Sequence, residues 1–144
     1  MDVENRLYPD AEQIAVLQQP GPDGPIVMVN LLKFRARAQY KDGRDAHLSG
    51  RDAYLRYSVL VAELLKQHGG RVVYAGDVTG LAIGQVASMW DEIALAEYPN
   101  RAALLAMSTS AEWIAASEHR SAGLEGQLNI ETVPAMAAIL GGAR

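Results

Sequence analysis

The chain of 144 residues contains no cysteine. That excludes a disulfide framework, a thiolate nucleophile and any zinc or iron–sulfur site held by cysteine. Histidine is scarce too. His47, His68 and His119 stand far apart, with no spacing of the HxxxH kind, so a self-contained metal site is not expected. No apolar run approaches the length that spans a bilayer, and the opening MDVENRLYPD is acidic and broken by proline, unlike a secretory or transit signal. These absences lead us to expect a cytoplasmic protein with no membrane partner. Gly76, Gly80 and Gly84 recur at every fourth position but lead into a strand, with no Lys-Ser/Thr after them, so they are turn glycines rather than a phosphate loop. No Gly-x-Ser-x-Gly occurs, which removes the usual serine-hydrolase signature.

What is present is an ordinary globular composition, 49% apolar and 21% charged, in a chain long enough for one domain with a real core. The net charge of −4 hides an asymmetry. The stretch from Lys33 to Arg51 holds six of the 13 basic residues and two of the 17 acidic ones, net +4, leaving seven basic against 15 acidic elsewhere, net −8. It reads either as a solvated loop or as an anion-binding one. The acidic remainder and the scarcity of interleaved aromatics, Phe34 and Tyr40 alone, argue against nucleic acid.

Periodicity gives the order strand, helix, strand, strand, helix, strand, preceded by a short helix. Asp10 and Gln13 form a capping box for that first helix, over 10–18, and three prolines and two glycines in 19–25 break the chain after it. Residues 26–34 are apolar on both alternating faces up to Lys33, interrupted by Asn30, as in a strand covered on both sides. Ser49 caps a long amphipathic helix from Arg51 to the Gly69-Gly70 stop, with Tyr54, Tyr57, Val61, Leu64 and His68 on one stripe. Residues 71–75 and 88–98 are expected as an antiparallel strand pair. A short helix follows from Pro99-Asn100 to Met107, then a main helix to about Ala122 with Thr109 and Glu112 as its capping box, and a last strand over 127–133.

The fold expected is therefore α+β, a ferredoxin-like βαββαβ sandwich with an N-terminal helical extension. The single domain divides into an extension and linker at 1–24, a core at 25–133 and a tail at 134–144 that frays or covers a partner subunit. Helices on one face of the sheet leave the other face bare, yet the first strand is apolar on both. A symmetric homodimer with sheets packed together is the simplest cover.

The segments 29–34 (VNLLKF), 49–57 (SGRDAYLRY), 90–99 (WDEIALAEYP) and the run from Ser110 through His119-Arg120 to Glu125 resemble the DUF1330 family of uncharacterised proteins. The resemblance covers roughly residues 25–133. It implies a dimeric α+β barrel, a superfamily that includes cofactor-free monooxygenases, lactone isomerases, dye-decolourising peroxidases and proteins of no known activity, so the fold alone selects no reaction.

Six residues are candidates for chemistry. Asn30, an amide amid apolar neighbours, must hydrogen-bond either protein or a ligand carbonyl. Tyr54 and Tyr57, one turn apart, point at one cavity or edge the core. Arg120, which the resemblance aligns with an arginine after the helix aromatic Trp113, anchors a ligand carboxylate or pairs with Glu97. Glu97, following Ile93 and Leu95 on one strand face, is an inward base or that pairing partner. His119 is a base, a packing residue or, more remotely, a haem ligand. No cofactor and no metal are expected. The functional expectation is a small-molecule enzyme without cofactor, in which Asn30, Glu97 and His119 are catalytic and Tyr54, Tyr57 and Arg120 bind an aromatic or enolisable carbonyl compound. The alternatives are a non-catalytic binder of a small acid and a structural homodimer.

Overall fold

Capping side chains set where the helices begin. In the computed structural model, which describes residues 2–135, the Asp10 carboxylate accepts from the Gln13 amide and starts α1 (Ala11–Leu17) with a complete capping box. Ser49 accepts from Asp52 N–H and starts α2 (Gly50–Gln67), and Asn100 accepts from Ala103 N–H and starts α3 (Arg101–Ser108). The main helix differs from expectation by one residue. Ser110, not Thr109, caps α4 (Ala111–Gly123) by accepting from Trp113 N–H, because Thr109 is already spent closing α3.

Four strands complete the chain: β1 (Ile26–Phe34), β2 (Arg71–Asp77), β3 (Glu92–Tyr98) and β4 (Leu124–Thr132). They form one antiparallel sheet in the order β2-β3-β1-β4. This is the ferredoxin-like arrangement that the periodicity predicts. The third strand starts at Glu92 rather than Ser88, since 88–91 are tied down by side chains: the Trp90 indole donates to Asn5 at 2.7 Å and Asp91 accepts from Phe34 N–H at 2.8 Å. The last strand starts at Leu124, three residues early, because α4 passes straight into it. The tail beyond Ala135 lies outside the described residues.

Strand parity sorts the side chains. Ile26, Met28, Asn30 and Leu32 of β1 share the helix-side face with Glu92, Ala94, Ala96 and Tyr98 of β3 and with Gln127, Asn129 and Glu131 of β4. Val27, Val29 and Leu31 take the opposite face, with Ile93, Leu95, Leu128 and Ile130. The helices pack on the first face only, in two clusters. One gathers Ile26, Met28, Leu64, Leu65, Tyr98 and Met107, and the other Leu32, Tyr54, Tyr57, Ala116 and Leu124.

Where α2 begins and α4 ends, the two backbones touch. A Cβ on Gly123 would lie 2.4 Å from Gly50 O and 2.7 Å from Tyr54 N, and one on Gly50 would lie 2.6 Å from Gly123 O. Only hydrogen fits at both positions. The contact fixes Tyr54 and Arg120, on neighbouring helices, over the same patch of sheet.

Candidate functional site

Between the two apolar clusters the sheet and helices part around a cavity of about 1180 Å³. Alanines make the room. Ala94 and Ala96 occupy helix-side positions of β3 where larger residues would fill the gap, and Met28 and Asn30 lie beside them. Tyr54, Tyr57 and Val61 of α2, Met107 of α3 and Trp113 of α4 form the opposing wall. The N-terminal segment closes one side. Arg6 bridges backbone to backbone with Gln127 on the free edge of β4, and Tyr8 bonds Ser121 of α4 at 2.5 Å.

The polar centre of this cavity is Arg120, which is 9% exposed. Its Nη2 donates to Leu7 O at 2.6 Å and to Gln127 Oε1 at 2.9 Å, both neutral acceptors. Its Nη1 is buried without any hydrogen-bond partner, and among the described residues no carboxylate comes within ion-pair distance of the guanidinium. The ion pair with Glu97, one of the two readings of this arginine, does not form. A guanidinium is always charged, so burying it without a counter-ion is costly unless something else supplies the negative charge.

A relay of amides holds Gln127 in place. Gln127 Nε2 donates to Asn30 Oδ1 at 3.2 Å, and Asn129 Nδ2 donates to the same oxygen at 2.6 Å. Asn30 Nδ2 in turn donates to Met28 O at 3.3 Å and Ala94 O at 3.2 Å. Both ends of Asn30 are thus engaged by protein, so its reach to a ligand passes through Gln127.

Four phenols line the cavity, those of Tyr8, Tyr54, Tyr57 and Tyr98. Tyr57 accepts from the Trp113 indole at 3.1 Å, whereas the Tyr54 and Tyr98 hydroxyls make no hydrogen bond among the described residues. Burial raises the pKa of Tyr54, Tyr57 and Tyr98 above the ordinary tyrosine value; for Tyr54 the Tyr57 neighbour adds to this and the Arg120 charge opposes it. They are neutral hydrogen-bond donors near neutral pH. Among the carboxylates that line the cavity is Glu92 of β3, whose pKa is raised, mainly by burial, with Arg51 opposing the shift and Asp77 adding to it.

The remaining candidates stand elsewhere. Glu97 is not an inward base: two-residue alternation puts it on the bare sheet face with Leu95, where it accepts from Arg71 Nε at 3.2 Å. His119 points away from Arg120, into a separate groove of about 570 Å³ against α2. Its Nδ1 bonds the Tyr40 hydroxyl at 2.7 Å. Its pKa is lowered, chiefly by burial, and the cations Arg56 and Arg44 add to this. So of the six candidates the fold gathers Asn30, Tyr54, Tyr57 and Arg120, and it excludes Glu97 and His119. Sequence reasoning missed Glu92 and Gln127. The signal for Glu92 was available: counting back by twos from Tyr98 through the small residues Ala96 and Ala94 lands on it.

Known proteins match this chain as follows. The family described as "Domain of unknown function (DUF1330)" matches residues 44–133. A crystal structure of a protein of unknown function from Rhodopseudomonas palustris is 31% identical, covering 92% of this chain and 99% of that one, with a TM-score of 0.83. A methylated form of that protein matches at 32% identity and a TM-score of 0.84, over 92% of this chain and 96% of that one. A dabb family protein with a ferredoxin-like fold from Mesorhizobium loti is 16% identical, covers 78% of this chain and 99% of its own, and has a TM-score of 0.51. No curated protein matches the chain.

Proposed function

The chain belongs to the DUF1330 family, a domain of unknown function, and from its cavity we propose that it binds a small aromatic or enolisable organic acid with the carboxylate on Arg120. One observation carries this reading. Arg120 is a buried cation with an unpartnered Nη1 and, among the described residues, no carboxylate within ion-pair distance, in a cavity whose lining joins aromatic and aliphatic side chains to polar and acidic ones such as Glu92. A carboxylate there would supply the missing charge and take a bidentate hydrogen bond from the guanidinium. It would displace Leu7 O, whose segment ends near the surface. The rings of Tyr54, Tyr57 and Trp113 suit a flat, apolar ligand body, and the free Tyr54 hydroxyl suits a carbonyl oxygen.

Calorimetric titration with phenylpyruvate, an aromatic 2-oxo acid, tests the proposal. The wild-type chain is expected to bind one equivalent, its methyl ester to bind at least about thirtyfold more weakly, and Arg120→Met to bind neither. Equal binding of acid and ester, or undiminished binding by Arg120→Met, would remove the carboxylate role.

A second feature supports a homodimer. The bare sheet face carries Val27, Val29, Leu31, Ile93, Leu95 and Ile130, and among the described residues no helix packs on it. A second copy, presenting the same face, covers both at once. Sedimentation equilibrium should show a dimer, and a monomer after Leu31→Lys; a wild-type monomer at micromolar concentration contradicts this assembly.

A further inference from the structure

Glu92 sits on the same rung of the sheet as the amide that holds Arg120. The register pairs Leu32 with Glu92 on one side and with Gln127 on the other, all three facing the helices. Two strand spacings separate Glu92 from Gln127, about 10 Å. That distance suits a molecule whose carboxylate meets Arg120 and whose adjacent carbon reaches a side chain extending from position 92. Tyr54 lines the same cavity as Arg120 and Glu92 and supplies a neutral hydroxyl donor there.

The carboxylate of Glu92 is also poorly engaged. Arg51 offers a single nitrogen, Nη1, to two acids: it lies 2.6 Å from Asp77 Oδ1 and 3.4 Å from Glu92 Oε2. Asp77 takes the short contact and Glu92 the long one. No other side-chain hydrogen bond reaches Glu92 among the described residues, so most of its acceptor capacity is unused beside the cavity. Burial raises its pKa, which makes it a stronger base than an exposed carboxylate.

We propose that Glu92 is a general base that removes a proton from the carbon next to the carbonyl of a 2-oxo acid anchored on Arg120. This rests on the carboxylate-binding reading above. The C–H bond breaks, its electron pair becomes the C=C bond of the enolate, and the carbonyl oxygen takes the negative charge and accepts a hydrogen bond from the Tyr54 hydroxyl. Glu92 holds the proton as a carboxylic acid. Return of a proton to carbon reverses the step, and no oxidant or cofactor is consumed.

The test is deuterium exchange at C3 of phenylpyruvate in D2O, followed by proton NMR alongside calorimetric binding of the same compound. The wild type should accelerate exchange over buffer. Glu92→Gln, which keeps the shape of the side chain, should lose about 100-fold of the acceleration, or all of it where it is smaller, while binding stays within about threefold. Glu92→Asp should retain a fraction of the rate, and Arg120→Met should lose binding and exchange together. Wild-type exchange by a binding-competent Glu92→Gln overturns the assignment. Binding by the wild type without acceleration overturns it too, but leaves the carboxylate site standing. Absence of wild-type binding overturns both.

Discussion

His119 and Arg120 are consecutive residues of α4, and they enter opposite environments. On the outer side, around Tyr40, the neighbouring cations have acids: Arg44 pairs with Asp42 at 2.9 Å and with Glu118, and Arg56 pairs with Asp45 at 2.9 Å. Arg44 also lies over the Tyr40 ring at 4.2 Å, and Arg56 donates to the Tyr40 hydroxyl at 3.2 Å. On the inner side, Arg120 has two neutral oxygens and an empty Nη1. The outer cluster is electrostatically complete as it stands. The inner one is not, and it is the inner one that adjoins the large cavity. Within one helical turn the chain separates charge that serves the fold from charge that awaits a partner.

The largest effect should come from removing that inner charge. Arg120→Met should weaken phenylpyruvate binding by about 100-fold or more, about 3 kcal/mol, because a buried charged hydrogen bond is lost from the complex. Binding that survives the change would mean the inner arginine is no different from the outer ones. Next is Gly123→Ala, whose Cβ would collide with Gly50 O and Tyr54 N, backbone atoms that cannot rotate away. It should cost about 2 kcal/mol in urea denaturation and impair both regions together, since the contact fixes α2 against α4. An unchanged midpoint would show that the helices separate freely.

The outer cluster should respond to pH instead. His119 has a lowered pKa in the fold, so the unfolded chain binds more protons as pH falls through the ordinary histidine range. Its contribution is present above the unfolded value near 6.5 and is lost on acidification below it. Stability should therefore drop from pH 7 toward pH 5, and His119→Gln should flatten this part of the profile without altering ligand affinity. The smallest effect should be that of Arg44→Ala, a slight destabilisation that disappears in high salt because these pairs are half exposed. Probe affinity should not change.

The sequence reveals the fold more fully than the site, for a physical reason. Caps and periodicity are local, so Asp10 with Gln13, Ser49 and Asn100 mark helix starts, and 26–34 is legible as a strand from its residues alone. Where Thr109 was expected as a cap and Ser110 takes the role, the closure of the preceding helix decides. The site depends on which residues share a face across three strands, and that is set by register. Tyr54, Tyr57, Asn30 and Arg120 are conspicuous by chemistry and do converge. Glu97 and Glu92 are alike in chemistry and differ only in parity, so choosing between them requires knowing that Tyr98 points toward the helices. His119 and Arg120 differ by one helical step, about 100°, and that step separates the outer groove from the inner cavity.

The most direct test of the inner charge is a crystal structure of the chain with phenylpyruvate bound. The carboxylate should lie in the cavity with its oxygens about 2.7–2.9 Å from the Arg120 guanidinium, Leu7 O displaced and the carbonyl toward Tyr54. A ligand lodged in the outer groove beside His119, or a cavity in which Arg120 keeps Leu7 O and no carboxylate, would contradict the account.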